Sequence, residues 1–564
     1  EWHQHTQASD SAMNQWPHTT GIRLGIAMPL LVLFALGVAW PLGALLLNQL
    51  PSDPSGIGQL RRLAGDAALQ ASALQTLGVA LLACTVASLI AIPVAFVAVR
   101  ARPSAQRLIK LCAILPLAMP PFAGAGLLLH SVDLFNQSEW ARTTGMLQVH
   151  GSAVALAMVL ALHYFPLILF SLLCGLQGID RSLEDSARNL GAGRWQVHWH
   201  ILWPLARPAY GFAAGLMMLR VLEDVGTPLM LGVDGMLAPR LLQWLLSDGP
   251  SGALFGLGGT LLLILSLAIA TLAWSSLLAP QTPPATAVTR NPDHRRAGAA
   301  GWLLMALVGV IATTPFLWLM ITATGAEWHG GLLPAVFSPS TLQTLTIDWL
   351  PTLTTTLHYA VGVALWVLLV AAVTATVSAR PDLLGRTTRF AVAALYAVPG
   401  VVLAGACLYT AEMFGKPLPL PTGIGWLLLV LVVGVKQVPF AQRLLLYRLH
   451  GEAALPADAA LSLGVRRAGI RRRVGPAALA ATVGALVLLA GSAAVAELSV
   501  ALALLGNGDA PVALGIFHAL RTPSEVPQGL AAAMVLTILL ALCLLLVLAL
   551  SAPRRAGAPR TTER

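Results

Sequence analysis

The sequence predicts an all-α integral membrane protein of about twelve transmembrane helices, built as two tandem six-helix repeats. Three features predict it. Of 564 residues, 57% are hydrophobic and 10% charged, with a mean hydropathy of +0.76, whereas ordinary soluble domains carry about a quarter charged residues. The apolar residues also gather into runs long enough to span a bilayer, which takes about 20 residues as a helix. Finally, one short polar pattern occurs twice in this apolar background, at Asp185–Gly191 and again at Asp458–Gly464.

In chain order the runs of the first half are Leu24–Leu47, Leu77–Val99, Leu108–Leu129, Ala153–Leu176, Pro208–Leu231 and Leu254–Leu278. Those of the second are Trp302–Ala323, Leu357–Ser378, Ala391–Tyr409, Trp426–Leu446, Ala477–Leu505 and Leu530–Leu550. Backbone polar groups in lipid must be satisfied within a helix or a closed barrel, and these runs lack the alternation of barrel strands. The halves share further landmarks. Thr76-Leu77 and Thr356-Leu357 open equivalent runs, which Arg100 and Arg380 close at the same spacing. Pro166 matches Pro439, and Asp224 matches Glu497, at the offset that relates the two polar patterns. The expected organisation is a polar segment (1–20), a first half (21–278), a Pro-rich cytoplasmic linker (279–300), a second half (301–552) and a tail (553–564). Residues before Met13 include His3 and His5 and are set aside from the fold.

The net charge of +10 is topological and gives no reason to expect nucleic acid. With the repeated pattern on the inside, the predicted outside holds Arg61, Arg62, Arg142, Arg240, Lys416 and Arg521. Arg220 and Lys436 fall within spans, and the rest of the 34 Lys and Arg lie inside. This bias places both termini in the cytoplasm. The cysteines, Cys84, Cys112, Cys174, Cys407 and Cys543, all fall in predicted spans without a CxxC pair, so neither a disulfide framework nor a metal site is expected.

Each polar pattern has an acid, two small residues and a glycine six positions after the acid: Asp185, Ser186, Ala187 and Gly191, then Asp458, Ala459, Ala460 and Gly464. A helical turn followed by a glycine suggests a short helix, a break and a second short helix along the membrane surface. The small residues would admit a partner closely; the plain alternative is a basic cytoplasmic loop. The segment from Leu183 through Gly191 and Trp203-Pro204-Leu205 to Pro208 resembles the coupling loop of binding-protein-dependent ABC importer permeases, with Asp in place of the usual Glu in both copies. The second copy departs downstream, where Arg466, Arg467 and Arg471–Arg473 intervene.

The resemblance implies a bacterial inner-membrane permease with both membrane halves fused. It implies two cytoplasmic ATPase subunits, one under each loop, and a periplasmic substrate-binding protein above. ATP and magnesium would reside on the ATPases, with no cofactor on this chain. ATP-driven closure of the ATPases would tilt the halves outward, and hydrolysis would reset them. The chain has no Gly-x-x-x-x-Gly-Lys-[Ser/Thr] loop, since Gly415-Lys416 runs into Pro417. By length and by Leu222–Pro228 with Leu231-Gly232, it is similar to ferric-iron permeases, with thiamine and aminoethylphosphonate importers also similar. The rival from another class is an ion-coupled secondary transporter, which would use His163, Asp224 and Glu497 and would have no use for a duplicated docking loop.

Ionisable residues within spans mark pathways or partners. His163 and Lys436 stand at equivalent positions, each three residues before a proline, and are expected to face each other across a central path; alternatively each satisfies a helix turn opened by its proline. Asp224 and Glu497, with Glu223 adjacent to the first, are expected at the outer mouth. The alternative is a pair of acids emerging into the periplasm.

Overall fold

The computed structural model describes residues 25, 35–48, 65–278, 298–327, 334, 336–337, 349–378, 382–416, 422–447, 475–505 and 511–551. The linker beyond residue 278, up to 297, lies outside them, as does the second polar loop. The first half comprises α1 (Trp40–Asn48, preceded by a π turn at Ala35–Ala39), α2 (Ala67–Ala98), α3 (Pro103–Ala118), α4 (Pro121–Asn136) and α5 (Glu139–Thr144). It continues with α6 (Ala153–Gln177), α7 (Arg181–Asn189), α8 (Arg194–Val197), α9 (Trp203–Glu223), α10 (Gly226–Leu231), α11 (Leu237–Asp248) and α12 (Ala253–Leu278). The second half has α13 (Ala299–Thr324), α14 (Leu350–Ser378), α15 (Leu383–Tyr396), α16 (Gly400–Met413) and α17 (Thr422–Tyr447). It ends with α18 (Gly475–Val495), α19 (Ser499–Leu505), α20 (Val512–Arg521) and α21 (Val526–Ser551).

Among the described residues, seven helices are long and apolar enough to cross a membrane, or up to ten if each bent pair is one span. Where they are described, the sequence-predicted runs are largely helical, but four are not the continuous spans expected: Pro208–Leu231 breaks at Asp224-Val225 between α9 and α10, and three more are bent pairs. The run Leu108–Leu129 is α3 and α4, bent by 84°; Ala391–Tyr409 is α15 and α16, bent by 97°; Ala477–Leu505 is α18 and α19, bent by 61°. The cause of the first two bends is proline. A residue before proline is pushed from helical to extended backbone, as at Met119 (φ −80°, ψ 120°) before Pro120, and Pro399 itself is extended at ψ 137°. A small antiparallel ribbon, Gly325–Glu327 with Val336–Phe337, is a second departure from the all-helical expectation.

The halves use the same internal packing. In the first, α2 lies along α6; in the second, α14 lies along α17. Buried Ala80, Ala83, Ala87, Ala91 and Ala98 form a small-residue stripe on α2, and Ala360, Ala364, Ala371 and Ala375 form one on α14. Such stripes let helices approach closely where lipid supplies no hydrophobic drive. Thr76 Oγ1 accepts the backbone N–H of Leu237 at 2.9 Å, and Thr356 Oγ1 accepts that of Val512 at 2.9 Å. The two opening threonines thus perform one task, each satisfying the first turn of a helix in the fifth-to-sixth connection. The halves also interlock: α1 packs on α16, while α13 packs on α2 and α3.

Candidate functional site: a coupling loop and the seam between halves

The first polar loop folds as a short helix, a break and a second helix. Asp180 caps α7 by accepting the Ser182 N–H at 2.9 Å. The helix stops at Gly191 (φ +88°), with Ala192 N–H donating to Ala187 O at 3.0 Å and Gly191 N–H to Arg188 O at 2.9 Å. This pair of bonds closes a helix through a left-handed residue, a conformation glycine adopts without steric cost. The sixth-position glycine therefore has a specific task. Asp185 is exposed and pairs with Arg188 at 3.1 Å, Ser186 is exposed and Ala187 half-buried.

Two residues that the sequence reading passed over anchor the loop. Glu184 accepts from Arg188 at 2.8 Å and from Arg100, just beyond the end of α2, at 3.1 Å. Burial lowers the Arg100 guanidinium from its ordinary value, and the Glu184 carboxylate works against that shift. His198 also stacks near Phe96 of α2, with ring centroids 5.5 Å apart. The loop is thus tied to a spanning helix while Leu190 (88% exposed) and Trp195 (73%) remain uncovered. Glu184 was legible in principle, because it stands four residues before Arg188 on one helix face. Asp458, Ala459, Ala460 and Gly464 lie outside the described residues.

Deeper in the protein, charged groups collect at the seam between halves. Glu223, at the end of α9, accepts from Arg220 at 3.0 Å with one carboxylate oxygen and forms an ion pair with Lys436 of α17 through the other. Lys436 is 3% exposed. Arg220 also sits over the ring of Tyr396, at the end of α15, 5.1 Å from its centroid, and Ser499 donates to the Glu223 carbonyl at 3.5 Å. Three elements of the second half therefore converge on one turn of the first.

The remaining candidates are placed as follows. Asp224 accepts the Thr227 N–H at 3.2 Å, and Glu497 accepts the Val500 N–H at 3.3 Å, so each serves the start of a short helix, α10 and α19. Both are half-buried, and Asp224 Oδ2 has no hydrogen-bond partner among the described residues. His163 is buried against Tyr164, ring centroids 4.4 Å apart, and lies against the Pro116 and Met119 backbone. Lys436, expected to face His163 across a path, pairs with Glu223. Among the described residues no group of three or more His, Cys, Asp or Glu is arranged to hold a metal.

Beyond α10 and α19 a cavity of about 620 Å³ opens between the halves, lined by His150, Asp234, Gln243, Phe517, His518 and Arg521 among others. Gly232 (φ +68°) ends α10 there, and a Cβ on it would run into the His150 ring.

The fold is that of a polytopic helical membrane protein. Residues 87–279, about a third of the chain, match the family described as binding-protein-dependent transport system inner membrane component. The chain is similar to the ferric transport system permease protein FbpB of Actinobacillus pleuropneumoniae, 30% identical over 168 residues, covering 28% of this chain and 24% of that protein. It is similar to the molybdenum transport system permease protein ModB of Escherichia coli K12, 33% identical over 117 residues (20% of this chain, 49% of that protein). A probable sulfate transport system permease protein, cysT of Nephroselmis olivacea, is 27% identical over 237 residues, 41% of this chain and 81% of that protein. The chain thus spans about a quarter of the ferric permease and about half of the molybdenum permease. The family and the apolar helices make it a multi-pass inner-membrane protein.

Proposed function

We propose that this chain is the membrane subunit of an ATP-driven importer that receives cargo from a periplasmic binding protein. Two cytoplasmic ATPase subunits, carrying ATP and magnesium, dock under the Asp185–Gly191 and Asp458–Gly464 loops. Both termini face the cytoplasm, and the cavity lined by His150 and Arg521 opens toward the binding protein. The observation that carries this reading is the first loop: a helix closed at Gly191, tied to α2 through Glu184 and Arg100, with small and apolar side chains facing outward. A loop that merely joined two spans would have no need of that rigid link. Movement of a docked ATPase would pass through it to α2 and α9.

The cargo is an inorganic ion. The sequence resemblance favours ferric iron, and the relatives divide among ferric, molybdenum and sulfate transport permeases.

The test is coupling. Gly191→Pro removes a backbone donor and forbids the left-handed backbone, and Asp185→Arg reverses the charge beside Ser186. Both variants should insert normally yet lose most of the ATPase stimulation by loaded binding protein in reconstituted complexes. Full stimulation in both would refute docking at this loop, and a purified chain that never retains an ATPase would refute the importer itself.

A further inference from the structure

We propose that Arg220 and Lys436 form an oxyanion-binding point at the seam, held shut by the Glu223 carboxylate, which occupies the place of the cargo's oxygens. The proposal rests on the importer reading and sharpens its cargo, away from ferric iron and toward a small dianion of the molybdate or sulfate type.

The geometry carries it in three steps. Glu223 gives one oxygen to the Arg220 guanidinium, at 3.0 Å, and the other to the Lys436 ammonium. Forked and point cations on two oxygens of one planar or tetrahedral group are the arrangement that carboxylates and oxyanions share. The two cations come from opposite halves, Arg220 on α9 and Lys436 on α17, so any motion that parts the halves here separates Lys436 from Glu223. A buried ammonium left without an anion is costly in a low-dielectric interior. Parting the seam therefore leaves Lys436 with only the more distant Glu497 unless another anion takes the place of the Glu223 carboxylate.

The neighbouring acids are each partly committed: one oxygen of Asp224 and one of Glu497 accept a backbone N–H at the start of α10 or α19, while Asp224 Oδ2 has no hydrogen-bond partner among the described residues. Displacement of Glu223 exposes two cations to an incoming anion, with Glu497 the carboxylate of the second half that still acts on both. The seam is tight at one point beside the pair: a Cβ on Gly400 would lie 2.8 Å from Val500 and 3.8 Å from the Lys436 Nζ.

Equilibrium binding of radiolabelled molybdate and sulfate to the full chain in nanodiscs tests the proposal, with ferric citrate as the contrasting probe. Glu223→Gln removes the internal competitor and should bind at least one of the two anions about tenfold more tightly than the parent chain. Glu223→Gln combined with Lys436→Met should lose that gain, and Glu223→Gln with Lys436→Arg should keep it. Circular dichroism and a monodisperse elution profile verify that each variant is folded. No gain for either anion in folded Glu223→Gln overturns the proposal, as does a gain that survives Lys436→Met or one seen for ferric citrate instead. Ser499→Cys provides a second reading: its thiol should be protected from a soluble maleimide by the anion in the Glu223→Gln background and remain unprotected once Lys436 is Met. Co-purification of an ATPase is scored separately, so failure of the importer reading leaves this comparison interpretable.

Discussion

The two halves have the same backbone plan and different linings. Thr76 and Thr356 make the same buried hydrogen bond across the bundle, and the proline-bent pairs α3–α4 and α15–α16 turn by 84° and 97°. At the seam the likeness ends. At the offset that relates Asp224 to Glu497, Arg220 corresponds to Ala493, Glu223 to Ala496, Gly226 to Ser499 and His163 to Lys436. The first half supplies an arginine and a glutamate, and the second supplies a lysine and two alanines. This explains why His163 and Lys436 differ in company. Lys436 meets Glu223, whereas the position equivalent to Glu223 is an alanine, and His163 keeps to the Pro116 and Met119 backbone. Duplication conserves whatever sets the backbone, while the charge cluster at the seam is asymmetric.

The largest expected contrast is between Lys436 and His163. Lys436→Met should lower stability by up to about 3 kcal/mol, the scale of breaking a buried pair, tempered by Arg220 still facing Glu223. His163→Leu should cost less than about 1.5 kcal/mol, as a near-volume exchange that gives up the ring's contact with the Pro116 and Met119 backbone. Thermal unfolding in detergent compares them, and equal shifts would mean that the seam pair contributes no more than the histidine.

Next is the contrast between Gly226 and Ser499. A Cβ at Gly226 would run into Leu498 and lie 3.3 Å from the Phe122 Cβ. Gly226→Val should therefore cost about 1–3 kcal/mol by overpacking, whereas Ser499→Ala removes a long 3.5 Å hydrogen bond and should cost under about 1 kcal/mol. The same unfolding midpoints decide it.

A smaller effect tests the likeness itself. Thr76→Val and Thr356→Val each strand a buried backbone N–H, at Leu237 and Val512, and should each cost about 1–2 kcal/mol. Hydrogen exchange of α11 and α20 should accelerate to a similar degree in the two variants. A clear imbalance would show that the shared hydrogen bond does not carry equal weight in the halves.

The smallest concerns the acids. Asp224→Ala and Glu497→Ala each remove an acceptor at the start of a short helix, worth about 1 kcal/mol. Local exchange at α10 and α19 should rise in step, with global unfolding nearly unchanged. Loss of the whole fold in either would assign that acid a larger structural task.

Much of the first loop was legible before any coordinates. The spacing of Asp185 and Gly191 anticipated a helix and a break, and the structure supplies the bond pattern that requires glycine there. Glu184 escaped notice because its value lies in reaching Arg100, 84 residues away in sequence. Asp224 and Glu497 were read as lining an outer mouth; the structure gives both a local engagement with helix starts, which a sequence offset does not reveal.

By itself the sequence determined the class of fold, the number and order of apolar runs and the duplication, because burial of apolar surface and the need to satisfy backbone groups in lipid act on local composition and spacing. Only the tertiary structure decided where the runs bend and which charges meet. A proline's bend angle depends on what packs around it. The pairing of Lys436 with Glu223 joins helices from opposite halves, and which residues meet there depends on how the halves pack rather than on spacing along the chain.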